Sequence, residues 1–302
     1  MCSLFVVKNK SWVLKPLLSL FALELILNLV PAPDWWEAGI FDDYRYSVRI
    51  NRWVEHKLRG EFNSEGYRDS EWSNPSLKPR VALFGDSRTF GLHVQEADTF
   101  GAQIEILSEW EALNMGKPGA TPVEALDSML PDALAYHPQA AVFFLDINSS
   151  TKSYVKRDTS GHRNNHIRHI LRSFASWRLL EGLYHVGTSE PQPVLSLVEY
   201  QAHLKSCVQL LRDQDVNTII MIIGYTPLQD FPSLWTQARY QKFLEVSRLV
   251  ATHEGLSTIE LESILRPMGD SGFIGEHQIH LSPDGHRELA NSITQHLNPD
   301  RK

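Results

Sequence analysis

RVALFGDSRTFG, residues 80–91, is the stretch from which the fold can be read. Val81 to Phe84 is apolar at every position, the pattern of a strand covered on both faces. It runs directly into Gly85-Asp86-Ser87, and Thr89-Phe90-Gly91 continue it. In open α/β sheets, ligands and reacting groups gather at the carboxyl ends of strands. A serine at such a strand-to-helix turn also lies beside a helix N-terminus, which favours a developing anion. Alone the tripeptide is weak, because three common residues in a given order recur in about one chain in ten of this length. Without its context Ser87 is simply an N-cap.

Downstream, strands and helices alternate. Ala97 to Trp110 reads as a helix, Ala112 to Met115 as a short strand, and Val123 to Tyr136 as a helix containing Pro131. Ala140 to Leu145 (AAVFFL) and Val216 to Ile223 (VNTIIMII) are strong buried strands. Pro232 to His253 is a long amphipathic helix, Thr258 to Leu261 a short strand, and Pro283 to Leu297 a closing helix. This alternation predicts a parallel sheet built from βαβ units.

Three further blocks sit at the ends of these elements. Asn114-Met-Gly116-Lys-Pro-Gly119 follows the second strand, and Gly119, without a side chain, lets its backbone N–H approach a substrate oxygen. Asn148 follows AAVFFL-Asp146-Ile147, where a side-chain amide can donate to an oxyanion. His280 stands in Gln278-Ile-His280-Leu-Ser282-Pro283-Asp-Gly285-His286, just before a helix that Ser282 caps and Pro283 opens. The bland readings are two glycines in a βα turn, a turn asparagine and a loop histidine. Taken together, the blocks supply what acyl transfer requires: an activated hydroxyl, donors aimed at an oxyanion, and a general base.

In order and context these four blocks resemble the SGNH hydrolases, the GDSL-type esterases, over roughly Arg80 to Leu297. The resemblance implies a three-layer αβα sandwich with a flavodoxin-like, five-stranded parallel sheet. It implies Ser87 as nucleophile, His280 as base, and Ser87 N–H, Gly119 N–H and the Asn148 amide as the oxyanion site. It also implies no metal and no organic cofactor. His286 reads as structural, and Asp86 as a brace for the turn.

Two departures stand out. The family usually has Gly-x-Asn-Asp where this chain has Asp146-Ile147-Asn148-Ser149. It also has an aspartate three residues before the histidine, where this chain has His277. That acid orients the imidazole, and in the best-studied triad its loss costs about four orders of magnitude in rate. Three readings remain: Glu276 orients the ring from a shifted loop, Ser87 and His280 act as a dyad, or the site is weak or inactive.

The chain has 302 residues and a net charge of −7, which gives no reason to expect nucleic-acid binding. Its two cysteines, Cys2 and Cys207, form no metal-binding spacing, and Cys207 falls on an apolar stripe with Leu197, Leu204 and Leu211. Trp12 to Val30 is nearly continuous apolar sequence, preceded or entered by Lys8, Lys10 and Lys15 and followed by Asp34, Glu37, Asp42 and Asp43. It reads as a single-pass anchor that leaves the rest outside the cytoplasmic membrane. A cleaved signal peptide and an interfacial helix are the alternatives. The expected organisation is an anchor over 1–33, a stalk over 34–79, and a hydrolase domain over 80–302 with an insertion-like helical region at 149–215.

Inside that insertion, His162, His166 and His169 have helical spacing but no acid or cysteine to complete a metal site, so they read as surface residues. The basic run from Lys152 to Arg172 reads as a solvated face or a lid, with anionic substrate or lipid headgroups as the alternative. The expected function is hydrolysis of an ester-linked acyl group, acetyl first, on an envelope or exported glycan or lipid. An O-acyltransferase and a non-catalytic scaffold are the alternatives, and the oligomeric state is open.

Overall fold

Five short apolar runs form one parallel sheet: β1 (Arg80–Gly85), β2 (Glu111–Asn114), β3 (Ala140–Phe144), β4 (Thr218–Ile223) and β5 (Ser257–Glu260). The computed structural model describes residues 62–153, 192–227, 230–231, 235–274 and 278–298, with Ser19 and Ala22. The strand order is β2-β1-β3-β4-β5, with every pair parallel. That order reverses direction between β1 and β3, and a crevice opens at the carboxyl ends of strands on either side of such a switch point.

Alternation along the strands explains why both faces are apolar. Ala82, Phe84, Phe143 and Met221 point to one side, and Val81, Leu83, Val142 and Ile220 to the other. The first side is covered by a helical segment at 122–134 (α3), by α5 (Leu197–Arg212) and by α6 (Gln237–Glu254), through Met129, Leu204 and Phe243. The second is covered by α2 (Phe100–Leu107), α7 (Leu261–Leu265) and α8 (Pro283–Leu297), through Ile104, Leu265 and Leu289. The two layers make the αβα sandwich. Each fully buried Leu or Phe contributes on the order of 2 kcal/mol.

Several boundaries differ from the sequence reading for identifiable reasons. The helix expected over 123–136 is not uniform: Pro122–Glu124 is α-helical, Ala125–Met129 is a π turn, and Leu130–Leu134 is α-helical again. Pro131 has no N–H for the carbonyl of Asp127, and its ring would crowd that carbonyl, so the turn ahead of it widens. The helix expected from Ala97 starts at Phe100 because Thr99 caps it, its Oγ1 accepting from Ala102 N–H at 3.2 Å. The helix expected from Pro232 starts at Gln237, after a two-residue ladder pairs 230–231 with 235–236.

Two domain boundaries need correction. Residues 62–79, expected to belong to a stalk, pack onto the hydrolase core: Tyr67, Arg68 and Trp72 are buried, and Tyr67 donates to Asp132 at 2.6 Å. This part reads as loop because its apolar residues have no period; they enter the core singly. Residues 197–212, expected within an insertion, form α5, a helix of the sandwich itself. Its Tyr200, Leu204, Cys207 and Leu211 are buried, and burial pushes the Cys207 thiol well above its usual value. Among the described residues no helix is long and apolar enough to cross a membrane. The expected anchor (apart from Ser19 and Ala22), the basic run beyond Ser153 and the three insertion histidines lie outside the described residues.

Candidate active site

Ser87 opens α1 (Ser87–Phe90), a single turn closed by Gly91 in the left-handed region at φ 76°. So short a helix has little macrodipole, and the favourable field expected of a helix N-terminus is weak here. Asp86 caps the turn, accepting from Arg88 N–H at 2.9 Å.

His280 comes from the opposite end of the sequence. It lies on β7 (His280–Leu281), which pairs antiparallel with β6 (Phe273–Ile274), so Ile274 faces His280 in the ladder. The segment is fixed on both sides. Thr226 Oγ1 donates to the Gln278 carbonyl at 3.1 Å, and Ser282 N–H donates to the Gly272 carbonyl at 3.1 Å. As the sequence predicts, Ser282 caps α8, its Oγ accepting from Gly285 N–H at 3.1 Å. The result is His280 Nε2 at 2.9 Å from Ser87 Oγ, across 193 positions. With Nε2 accepting, the proton of the neutral ring resides on Nδ1. Glu276, the expected orienting acid, and His277 lie outside the described residues.

The oxyanion candidates lie on turns that hydrogen bonds join to one another and to Gly85. Residues 117–120 form a turn closed by Ala120 N–H donating to the Lys117 carbonyl at 3.0 Å. Pro118 and Gly119 take its central positions, and Gly119 has φ 79°, the arrangement of a type II turn. A Cβ on Gly119 would meet no protein atom within 4 Å, so within the protein it is φ that requires glycine here. Close approach instead governs Gly116, whose Cβ would stand 2.3 Å from the Phe90 nitrogen. Lys117 N–H donates to the Gly85 carbonyl at 3.0 Å and so ties this turn to the nucleophile turn. Asn148, on α4 (Ile147–Ser150), donates one amide N–H to the Ala120 carbonyl at 3.4 Å. That contact holds its NH₂ group on the residue that follows Gly119.

Beneath the nucleophile lies a buried charge network that the sequence reading did not identify. The Arg88 guanidinium forks onto Asp86 through Nε at 3.0 Å and Nη2 at 2.7 Å, and Nη2 also reaches Asp146 at 2.6 Å. All three residues are at most 1% exposed. Asp146 accepts in addition from Gly224 N–H at 2.8 Å and from the Tyr240 hydroxyl at 3.1 Å. The guanidinium carbon lies 3.7 Å from the centroid of the Phe144 ring. The two carboxylates keep Arg88 well above its usual value, and burial does the same for the Tyr240 phenol, which stays a neutral donor.

The family model of the GDSL-like Lipase/Acylhydrolase family matches residues 83–288, more than half of the chain. The chain belongs to that family. It is a GDSL-type carboxylic ester hydrolase. Solved structures agree on the fold. A G-D-S-L family protein from Desulfitobacterium hafniense DCB-2 superposes with TM-score 0.51 at 16% identity, over 72% of this chain and 99% of that one. TesA gives TM-score 0.50 at 16% identity, over 73% and 98%. LAE5, an alpha/beta hydrolase enzyme from the metagenome of Lake Arreo, Spain, gives 0.50 at 15% identity, over 72% and 94%. No curated protein is significantly similar to the chain.

In a GDSL hydrolase the motif letters place leucine after the serine, where this chain has Arg88. With glycine usual at position 146, the chain carries two charges in place of two uncharged residues, and they pair with each other. A usable sign was present in the sequence: an arginine and an aspartate follow two apolar strands that the fold makes neighbours, and charges there need partners.

His286, read as structural, is buried and accepts from Phe100 N–H at 3.2 Å through Nδ1, so it caps α2. Nε2 has no partner among the described residues, and burial holds the ring down to about 3. The unfolded chain takes up this proton near 6.5, so between these values it binds more protons than the folded chain. The stabilisation is therefore complete above about pH 6.5 and is lost as pH falls toward 3. His286→Gln keeps an acceptor but does not titrate. From pH 7 to pH 4, wild type is expected to lose about 3 kcal/mol more stability than this variant in urea unfolding. Asp69, which burial pushes up to about 7 despite N–H donors from Ser70, Asn114 and Trp72, gives a slope of opposite sign. It is common to both proteins and cancels in the comparison.

Proposed function

We propose that the chain is a serine esterase that removes a small acyl group, acetyl first, from a glycan or lipid ester through an acyl-serine intermediate. The observation that carries this reading is the 2.9 Å contact between His280 Nε2 and Ser87 Oγ at the carboxyl edge of the sheet. His280 takes the Ser87 proton as the oxygen attacks the ester carbonyl. The tetrahedral oxyanion is held by Ser87 N–H, Gly119 N–H and the second amide N–H of Asn148. His280 then returns its proton to the leaving alkoxide. Water, activated by the same nitrogen, releases the acid and frees the serine. The lysines ahead of the apolar segment at 12–30 support holding this site on the extracytoplasmic side of a membrane.

The test uses the purified full chain with p-nitrophenyl acetate and a fluorophosphonate probe. Turnover, with the probe on Ser87, supports the reading; absence of both refutes it. With an added glycan acceptor, free acid is expected to outpace acylated glycan, and the reverse would make the chain a transferase. Asn148→Ala is expected to lower kcat about 100-fold with little change in KM, because its donor matters most when charge develops on the oxygen.

A further inference from the structure

His93 is the one exposed side chain in the loop 90–94, where Phe90, Gly91, Leu92 and Val94 are all buried. Its φ is 75°, a region that only a few per cent of non-glycine residues occupy, histidine among those that enter it more readily. Such conformations persist only where surrounding structure imposes them, and they collect at functional sites. Here the imposing group is Arg68, buried inside the loop, which donates to the carbonyls of Phe90 at 3.1 Å, Gly91, and Val94 at 2.7 Å. Leu92 N–H adds a bond to the Ser87 carbonyl at 2.9 Å, so the loop is registered on the nucleophile itself. The His93 ring, thus placed, meets the His280 ring edge to face, with centroids 5.0 Å apart and planes at 75°. That is a favoured geometry for two aromatic rings.

We propose that His93 is a positioning residue for the catalytic base, resting on the assignment of His280 as that base. The flat of one ring against the edge of the other restrains rotation of the His280 imidazole about its side-chain bonds. The restraint acts in a chain where the position usual for an orienting aspartate holds His277. Desolvation draws His93 below the usual histidine value, so a neutral ring faces the imidazolium that forms on His280. The role needs an aromatic ring in a left-handed backbone position, and only the ring has to survive substitution.

Three variants of the full chain test this by esterase kinetics and thermal melting. His93→Gly relieves the backbone conformation, so Tm rises, while kcat falls about tenfold or more with KM nearly unchanged. His93→Ala gives the same fall in kcat. His93→Phe restores kcat to within about threefold of wild type because the edge-to-face contact remains. A kcat within twofold of wild type for His93→Gly and His93→Ala would overturn the proposal. So would a fall in His93→Phe as deep as in His93→Ala, which would assign proton transfer rather than packing. Turnover by wild type and its loss in His280→Ala establish the base without reference to His93, so failure of the esterase reading is distinguished from failure of this one.

Discussion

Ser87→Ala lowers kcat for p-nitrophenyl acetate by at least three orders of magnitude, and His280→Ala lowers it to a similar level. The two groups act as one unit: the hydroxyl is a poor nucleophile until the imidazole 2.9 Å away accepts its proton. Where nucleophile and base act as a unit, removing either costs about as much as removing both, up to about a millionfold. The double variant is therefore expected to be no slower than either single one. The residual rate should reflect the oxyanion donors, which neither substitution touches. Steady-state kinetics on the three proteins provides the check. Independent, multiplicative losses would mean that the 2.9 Å contact is not the catalytic one.

Arg88→Leu, which installs the residue of the family motif, destabilises the fold by about 3–5 kcal/mol, because it leaves two buried carboxylates facing each other without a cation. Asp146→Asn alone costs less, since the Arg88–Asp86 fork survives and the amide oxygen still accepts from Gly224 N–H. In the double variant only Asp86 stays charged, and it keeps its backbone N–H at position 88. The double variant is therefore more stable than Arg88→Leu by about 1–2 kcal/mol. Urea unfolding of the four proteins measures the coupling. Strict additivity would show that the guanidinium and Asp146 do not depend on each other.

These two predictions draw on different amounts of sequence information. Ser87, Gly119, Asn148 and His280 could be named as candidates because each lies past a short apolar strand or before a capped helix, and such contexts are local; the structure brings Ser87 and His280 to 2.9 Å. The parallel sheet was legible for the same reason: runs such as AAVFFL and TIIMII have no polar face to show solvent. Arg88 with Asp146 and His93 with Arg68 were not legible, because their roles arise between elements 58 and 25 positions apart. Residues 62–79 were misplaced because Tyr67 and Trp72 are single insertions into the core and generate no period. The π turn ahead of Pro131 was foreshadowed by the proline, but the sequence does not say whether a helix breaks or widens there.

The sheet register sets how the two halves of the catalyst are suspended. Gly85 and Phe144 are partners across adjacent strands, so Ser87, two residues on, and Asn148, four residues on, leave the five-strand ladder from one rung. Interstrand spacing, close to 4.8 Å in any sheet, therefore sets how far apart the two segments set out. The imidazole hangs instead from a ribbon two residues wide, outside that ladder. Ser87 and Asn148 are thus each within four residues of the central sheet. The proton acceptor travels on its own tether, and drift in that tether changes proton transfer while the acyl cradle keeps its shape.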